Sequence, residues 1–214
     1  MIVIVGSPVG RLVDGRVETG GIAACAAEAA ARAGAGVQVV GRIGDDPDAD
    51  RLLLTLATGG VGHVAILRDP ARATPIEPDP ALDVDPDDDD PAPATATSPL
   101  ELDAADVELG LRYLTDYRVV VLVPPVRSEV LAVVADAARW AAAHLVVVTD
   151  AADASIGSLP ADAIVLEAPD ADPDGAFATL LGRLAAALDG GADPAAAFRN
   201  AVSEAGWAVA APET

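Results

Sequence analysis

The sequence predicts an α/β protein with three layers, αβα, in which a parallel sheet carries helices on both faces. Two observations carry that expectation. Short runs rich in Val and Ile alternate along the chain with Ala- and Leu-rich segments of helical length, and strands that alternate with helices build parallel βαβ units. The run from Arg118 to Val123 is apolar after its first residue, which suits a central parallel strand buried on both faces. At 214 residues the chain is long enough for one such domain and short for two, so residues 1–214 are read as a single domain.

Ile2 to Val5 is the expected first strand, ending at Gly6. The segment from Val13 to Thr19 is too short for more than a small hairpin. Gly20 and Gly21 then allow a tight turn and a close backbone approach to a ligand, because glycine has no Cβ and tolerates positive φ. Residues 22–33 read as a helix made almost wholly of Ala, able to lie very close to a sheet, with Glu28 and Arg32 four apart on an exposed ridge. Gly34 and Gly36 stop it, and Val37, Val39 and Val40 form a short strand. Gly41 to Asp46 is the turn that follows, and Pro47 suits the first turn of a helix over 47–58 with Leu52, Leu53 and Leu56 on one face. Gly59 to Gly62 end that helix, and Val64 to Leu67 make the next strand.

Residues 69–99 read as an acidic, flexible insert. From Pro75 onward its Pro and Asp density neither buries apolar surface nor propagates a strand ladder. Four consecutive Asp at 87–90 do not make a cation site, which needs ligands held in fixed geometry. Beyond it, Asp103 to Leu114 is a helix with Val107, Leu111 and Leu114 at helical spacing. Pro124 and Pro125 close the central strand, and Ser128 is expected to cap a helix running to about Ala143. Leu145 to Val148 and Ala163 to Leu166 are two more strands, ending at Thr149-Asp150 and at Glu167. The C-terminal part, from Gly175, reads as two helices split by Gly190-Gly191, the second capped by Asp193 and opened by Pro194. His63 and His144 each precede a strand and have no partner at metal-ligand spacing, so packing or solvent exposure is the expected role; no metal site is predicted.

The charge balance narrows the partners. Against 34 acidic residues stand 13 basic ones, every one an Arg, for a net charge of −21. Phosphate neutralisation needs a basic face, so neither nucleic acid nor an anionic membrane is an expected partner. Adaptation to high salt accounts for the excess of Asp, because at about 1 M ionic strength the Debye length is only ~3 Å and surface acids stop repelling one another. A high-GC genome is the alternative, and it explains the Ala and Arg enrichment but not the Asp. With 52% hydrophobic and 3% aromatic residues, the core is expected to consist of Ala, Val and Leu. A single Cys rules out an intrachain disulfide and fits a reducing cytoplasm. The opening MIVIVG has no basic n-region and is soon broken by Pro8 and Arg11, so it reads as a strand and not as a signal peptide. No apolar run approaches the ~18 residues of a membrane span. A soluble cytoplasmic protein of a salt-adapted organism is expected.

The most informative stretch is Gly20 to Asp46, GGIAACAAEAAARAGAGVQVVGRIGDD. It resembles the N-terminal signature of the PfkB (ribokinase-like) carbohydrate kinases: a Gly-Gly pair, a substrate-binding Asn, an Ala-rich helix with Arg, a Gly after it, and Gly-x-x-Gly-x-Asp. Gly20, Gly21, Ala27, Arg32, Gly34, Gly41, Gly44 and Asp46 fall at matching positions, whereas Cys25 stands where that family has Asn. The resemblance implies a ribokinase-like, Rossmann-like parallel sheet with its lid reduced or absent. It also implies a sugar or nucleoside ligand, with ATP and Mg as cofactors if kinase activity is retained. By the same resemblance the substrate-binding positions are Gly20, Gly21, Cys25 and Arg11, the last where the family has a sugar-binding Asp; Asp14 is the acid closest to it. Residues 175–209 resemble the end of these kinases, where a Gly-Ala-Gly-Asp turn supplies an anion hole of backbone amides and a catalytic Asp. Aligned on Ala176-Phe177, the turn here is Asp172-Pro173-Asp174-Gly175, so Gly175 and Ala176 are the nucleotide-binding positions and Gly175 stands at the base. Asp172 and Asp174 are the candidate bases of an active enzyme. The magnesium-orienting Asn-x-x-Glu motif has no counterpart beyond Glu167 at a strand end.

Three functional positions therefore differ on a persistent scaffold. Loss of the base alone should cost roughly 10²–10⁴-fold in rate; Pro173 removes an amide donor, and two carboxylates repel a γ-phosphate. Cys25 near a helix start reads either as a nucleophile with a lowered pKa or as a small core residue. One functional expectation is a degenerate kinase relative serving as a ligand-binding or regulatory subunit, paired with itself or with an active kinase. Another is an active, divergent sugar or nucleoside kinase. A third is a plain small-molecule-binding α/β module, since open parallel sheets bind ligands at the carboxyl ends of their strands. Gly6, Gly20, Gly21, Asp45, Asp150 and Glu167 would gather there.

Overall fold

The computed structural model describes residues 1–78, 98–150, 159–172 and 174–204. Strand β1 (Ile2–Val5) shows how the sheet is built: its four residues are wholly buried, Ile2 and Ile4 on one face and Val3 and Val5 on the other. Strand alternation thus feeds two cores, as expected where both faces are covered. A hairpin follows, β2 (Val9–Val13) and β3 (Arg16–Gly20), and leads into α1 (Gly21–Arg32), β4 (Val37–Gly44), α2 (Pro47–Thr58), β5 (Val61–Asp69) and the two-residue β6 (Ile76–Glu77). Then come α3 (Ala104–Tyr113), β7 (Val119–Leu122), α4 (Ser128–Ala141), β8 (His144–Thr149), β9 (Ile164–Glu167), α5 (Ala176–Asp189) and α6 (Pro194–Glu204).

The main sheet has the order β5-β4-β1-β7-β8-β9, all parallel. Successive strands lead outward from β1 in both directions, so the topological switch flanks β1, and Gly6-Ser7 lie at its carboxyl end. Ile2, Ile4, Val39 and Val121 meet α1, α2, α5 and α6 on one face. Val3, Val5, Val120 and Val147 meet α3 and α4 on the other. A separate three-stranded sheet, β3-β2-β6, pairs β2 antiparallel to β3 and parallel to β6.

Several local expectations are corrected by these elements. The segment from Gly41 to Gly44 is the end of β4 and not a turn, because β5 runs on to Asp69 beside it. β5 begins at Val61, so His63 lies within it, and His144 opens β8. Ser128 is the first residue of α4 and its hydroxyl donates to Glu129; the N-cap is Arg127, with no side-chain cap. Within the acidic insert, Ile76–Glu77 form a strand, since β2 offers them a free edge. Its residues 79–97, including the four-Asp run, lie outside the described residues, as does the chain after Glu204.

The Ala-rich helix packs against another helix as well as the sheet. A Cβ on Gly182 of α5 would stand 2.4 Å from the Ala26 carbonyl oxygen and 2.7 Å from the Ala29 Cβ. Small residues on both helices allow that approach.

Candidate functional site

The Gly-x-x-Gly-x-Asp segment is a structural node. Asp46 caps α2 by accepting the Ala49 N–H at 2.8 Å, and it also accepts the Thr74 N–H and the Thr74 hydroxyl, each at 2.7 Å. The Gly44 N–H donates to the Thr74 hydroxyl oxygen at 3.1 Å, and a Cβ on Gly44 would come 2.5 Å from the Thr74 nitrogen. Burial pushes the Asp46 carboxyl upward, but the bonds from Thr74 and Ala49 outweigh it and hold the group below its ordinary value of 3.8. This node fixes the chain that enters β6.

From there Glu77 is delivered to Arg11. The two are register partners across β6 and β2, and the Arg11 Nε and Nη2 donate to the Glu77 Oε2 at 3.1 and 3.0 Å. The hairpin that carries Arg11 turns at Asp14-Gly15, both with positive φ (49° and 75°), which suits a tight two-residue loop. Gly20 and Gly21 lie against this pair. A Cβ on Gly20 would meet the Glu77 Oε2 at 2.8 Å, so the glycines serve the approach of Glu77 and of the β2 backbone.

Cys25, on the second turn of α1, donates its Sγ–H to the Thr19 carbonyl at 3.6 Å. Burial pushes its thiol up to about 11; Arg11 lowers it somewhat, while Glu28 and Glu77 add to the rise. This overturns the idea of a nucleophile activated by a lowered pKa, because desolvation exceeds any benefit from the helix start.

At the N-terminus of α5 the Asp172 carboxylate takes two backbone amides, the Phe177 N–H on Oδ1 at 3.0 Å and the Ala178 N–H on Oδ2 at 2.9 Å. The N-cap is Gly175, in the left-handed region at φ 65°. A helix N-terminus favours an anion, and here the chain's own carboxylate supplies it.

These parts face one cavity of about 360 Å³, lined by Arg11, Gly21, Cys25, Glu77, Asp172 and Gly175 together with Ile22, Asp170 and Ala178. A second cavity of about 320 Å³ shares Gly21 and Ile22 with it and lies at the carboxyl ends of β1, β7 and β8, where Ser7, Pro124 and Asp150 line it. Of the sequence-derived candidates, Arg11, Gly21, Cys25, Asp172 and Gly175 come together; Gly20 backs the same wall. Asp14 sits exposed at the hairpin tip, Asp174 is exposed, and neither they nor Ala176 line either cavity. Asp45 pairs with Arg68 at 3.2 Å, away from both cavities, and Glu167 lines neither. Sequence reasoning missed Glu77 and Asp170. Glu77 is flanked by Pro75 and Pro78 in a segment read as a flexible insert, so nothing local marked it. Among the described residues no three His, Cys, Asp or Glu side chains group so as to hold a metal ion, and no helix is long and apolar enough to cross a membrane.

A three-layer αβα domain of this strand order, with a small sheet set against the carboxyl end of its first strand, has the ribokinase-like fold. Structures of PfkB and ribokinase-like carbohydrate kinases match it over nearly their full length at low sequence identity. The PfkB protein from Polaromonas sp. JS666 superposes with a TM-score of 0.66 at 14% identity, over 95% of this chain and 94% of that one. Arabidopsis thaliana ribokinase, solved with ribose and ATP, gives 0.64 at 15% identity, over 95% and 90%. Fructokinase from Vibrio cholerae O395 gives 0.54 at 19%, over 95% of each chain. No family model matches the sequence, and no curated protein matches it.

Proposed function

We propose that this protein is a ribokinase-like subunit that binds a small hydroxylated ligand and does not transfer phosphate. The observation that carries the reading is the Asp172 carboxylate on the Phe177 and Ala178 amides. Those amides lie in the first turn of α5, directly after the Asp172–Gly175 turn whose amides the resemblance makes an anion hole, and a triphosphate arriving there meets a fixed negative charge. The residues present therefore do not fit a bound nucleotide: Asp170 and Asp172 line the cavity, Gly175 supplies no base, and among the described residues Arg11 is the one Arg of the lining. Asp172 is committed to the helix start and Asp174 is exposed and does not line the cavity, which disfavours both as bases.

A ligand site without phosphoryl transfer suits a binding or regulatory role, alone or paired with a second copy or an active kinase. The acid excess extends the proposal to a salt-adapted cytoplasm. The test is a coupled ADP-release assay with ATP, magnesium and a panel of sugars and nucleosides in molar KCl, alongside melting temperatures for each compound. We expect a sugar or nucleoside to raise the melting temperature, ATP to leave it unchanged, and no turnover. Turnover abolished by Asp172→Asn or Asp174→Asn would establish the divergent-kinase alternative instead.

A further inference from the structure

We propose that this protein pairs with a second copy of itself through the free edge of β5, so that two parallel sheets join into one continuous sheet. The inference concerns a surface away from both cavities and holds whatever ligand they take. β5 is nine residues long and ends the main sheet, and among the described residues β4 is its one strand partner. Its outer N–H and C=O groups therefore form a row open to another strand, which natural edges commonly blunt with Lys, Pro or short length. β5 holds neither Lys nor Pro, and the opposite edge, β9, has only four residues. The register shift against β4 falls near its start, so Ala65 to Asp69 pair regularly.

The margins of this edge are apolar on both faces of the sheet. Ile66 packs into the core that α1 and α2 cover, and Ala65 into the core beneath α3 and α4. Alternation then puts Val64 and Arg68 on the α2 side, where the Arg68 guanidinium donates to Asp50 of α2. Val64 is 75% exposed there. On the other face, a Cβ on Gly110 of α3 would stand 3.5 Å from the Ala65 Cβ. Leu111 and Arg112 line the groove between α3 and α4, so Leu109 and Tyr113, one turn apart, flank β5 instead. They are 46% and 75% exposed.

Size and charge make a second copy the occupant. A strand of this length spans about 30 Å, and helices about 10 Å across on both faces make that side of the domain about 25 Å deep. The side therefore offers roughly 750 Å², close to the ~800 Å² that each partner of a stable complex buries. Two copies of charge −21 repel, but the acids of this margin are already met by Arg: Asp45 and Asp50 by Arg68, Asp69 by Arg42. In an antiparallel pairing with its two-fold axis at Ile66, Val64 of each copy stands opposite Arg68 of the other, and His63 opposite Asp69. No residue of the paired strands then meets a like charge.

Sedimentation equilibrium of the full chain in molar KCl tests the pairing, because screening over ~3 Å removes the repulsion between two acidic copies. Wild type should be a dimer at micromolar concentration and should dissociate more readily in dilute buffer. Val64→Lys sets a second cation opposite Arg68 and should weaken the dimer about tenfold or more. Tyr113→Lys, on the other margin, should weaken it as well. Trp140→Lys, at a side chain 94% exposed beside the groove between α3 and α4, should leave it unchanged. In a Cys25→Ala background, Ile66→Cys should give a disulfide-linked dimer under copper phenanthroline and air, since residues opposite each other on the axis hold their Cβ atoms about 5 Å apart. Val64→Cys with Arg68→Cys makes the same link if Ile66→Cys does not fold, and Ala132→Cys, exposed on α4, is the control for random collision. A monomeric wild type in molar KCl, a dimer indifferent to both edge variants, a dimer lost with Trp140→Lys, or a cross-link no faster than the control overturns the proposal. Ligand binding and turnover are read separately, so none of these outcomes alters the function proposed above.

Discussion

At the scale of single residues, Asp46 and Thr74 matter for stability. Thr74 is 6% exposed, and its hydroxyl both donates to Asp46 and accepts from Gly44. Thr74→Val keeps the shape but leaves the part-buried Asp46 carboxylate and the buried Gly44 amide each short of a partner. We expect a loss of about 1–3 kcal/mol in urea unfolding. Asp46 also makes stability depend on acid. Its folded pKa lies below the unfolded value of about 3.9, so the unfolded chain binds more protons between the two. The contribution is whole above the unfolded value and is lost as pH falls through the folded one. Unfolding midpoints measured from pH 6 downward should drop more steeply for wild type than for Asp46→Asn below about pH 4. Cys25 belongs here as well: the sequence allowed a thiol activated by the helix start, and burial instead pushes it upward while it lines the cavity.

At the scale of elements, α1 and α5 pack backbone against backbone at Gly182. Ala is the better helix former than Gly by about 1 kcal/mol, so propensity alone favours Gly182→Ala. Contact reverses the sign, because the new methyl would stand 2.4 Å from the Ala26 carbonyl oxygen. We expect Gly182→Ala to cost about 1–3 kcal/mol, read as a lower thermal midpoint. The helices were legible in sequence because capping and periodicity are local: α2 runs from Pro47 to Thr58, capped by Asp46. The strands were read too short, as at β4 and β5, since a strand's length is set by the neighbour that satisfies its backbone. For the same reason β6 was invisible; two residues between prolines form a strand only because β2 lies beside them.

At the scale of the molecule, 34 acidic residues against 13 Arg leave a charge of −21. Many of the Arg side chains are drawn into pairs, as Arg68 is with Asp45 and Arg42 with Asp106, so the unpaired surplus is acidic. Such a surplus repels itself in dilute buffer. Raising KCl from 0.1 M to 1 M shortens the Debye length from about 10 Å to about 3 Å, and the melting temperature should rise with it. A flat melting temperature across that range would count against salt adaptation and leave base composition as the source of the bias.

The sequence by itself determined the layer architecture, the single parallel sheet, and the resemblance carried by Gly20 to Asp46, because these follow from local periodicity and from glycines whose neighbours are close in the chain. The site was only half legible. Arg11, Gly21, Cys25, Asp172 and Gly175 could be marked in advance, but their meeting depends on contacts between β2, α1 and the start of α5. Tertiary structure alone decided that Glu77 faces Arg11, that Asp172 occupies the α5 amides, and that the Gly20-Gly21 pair accommodates a carboxylate from β6. Each is a pairing of charge or backbone between segments remote in sequence, and such pairings are set by which strand edges and helix ends the fold brings together.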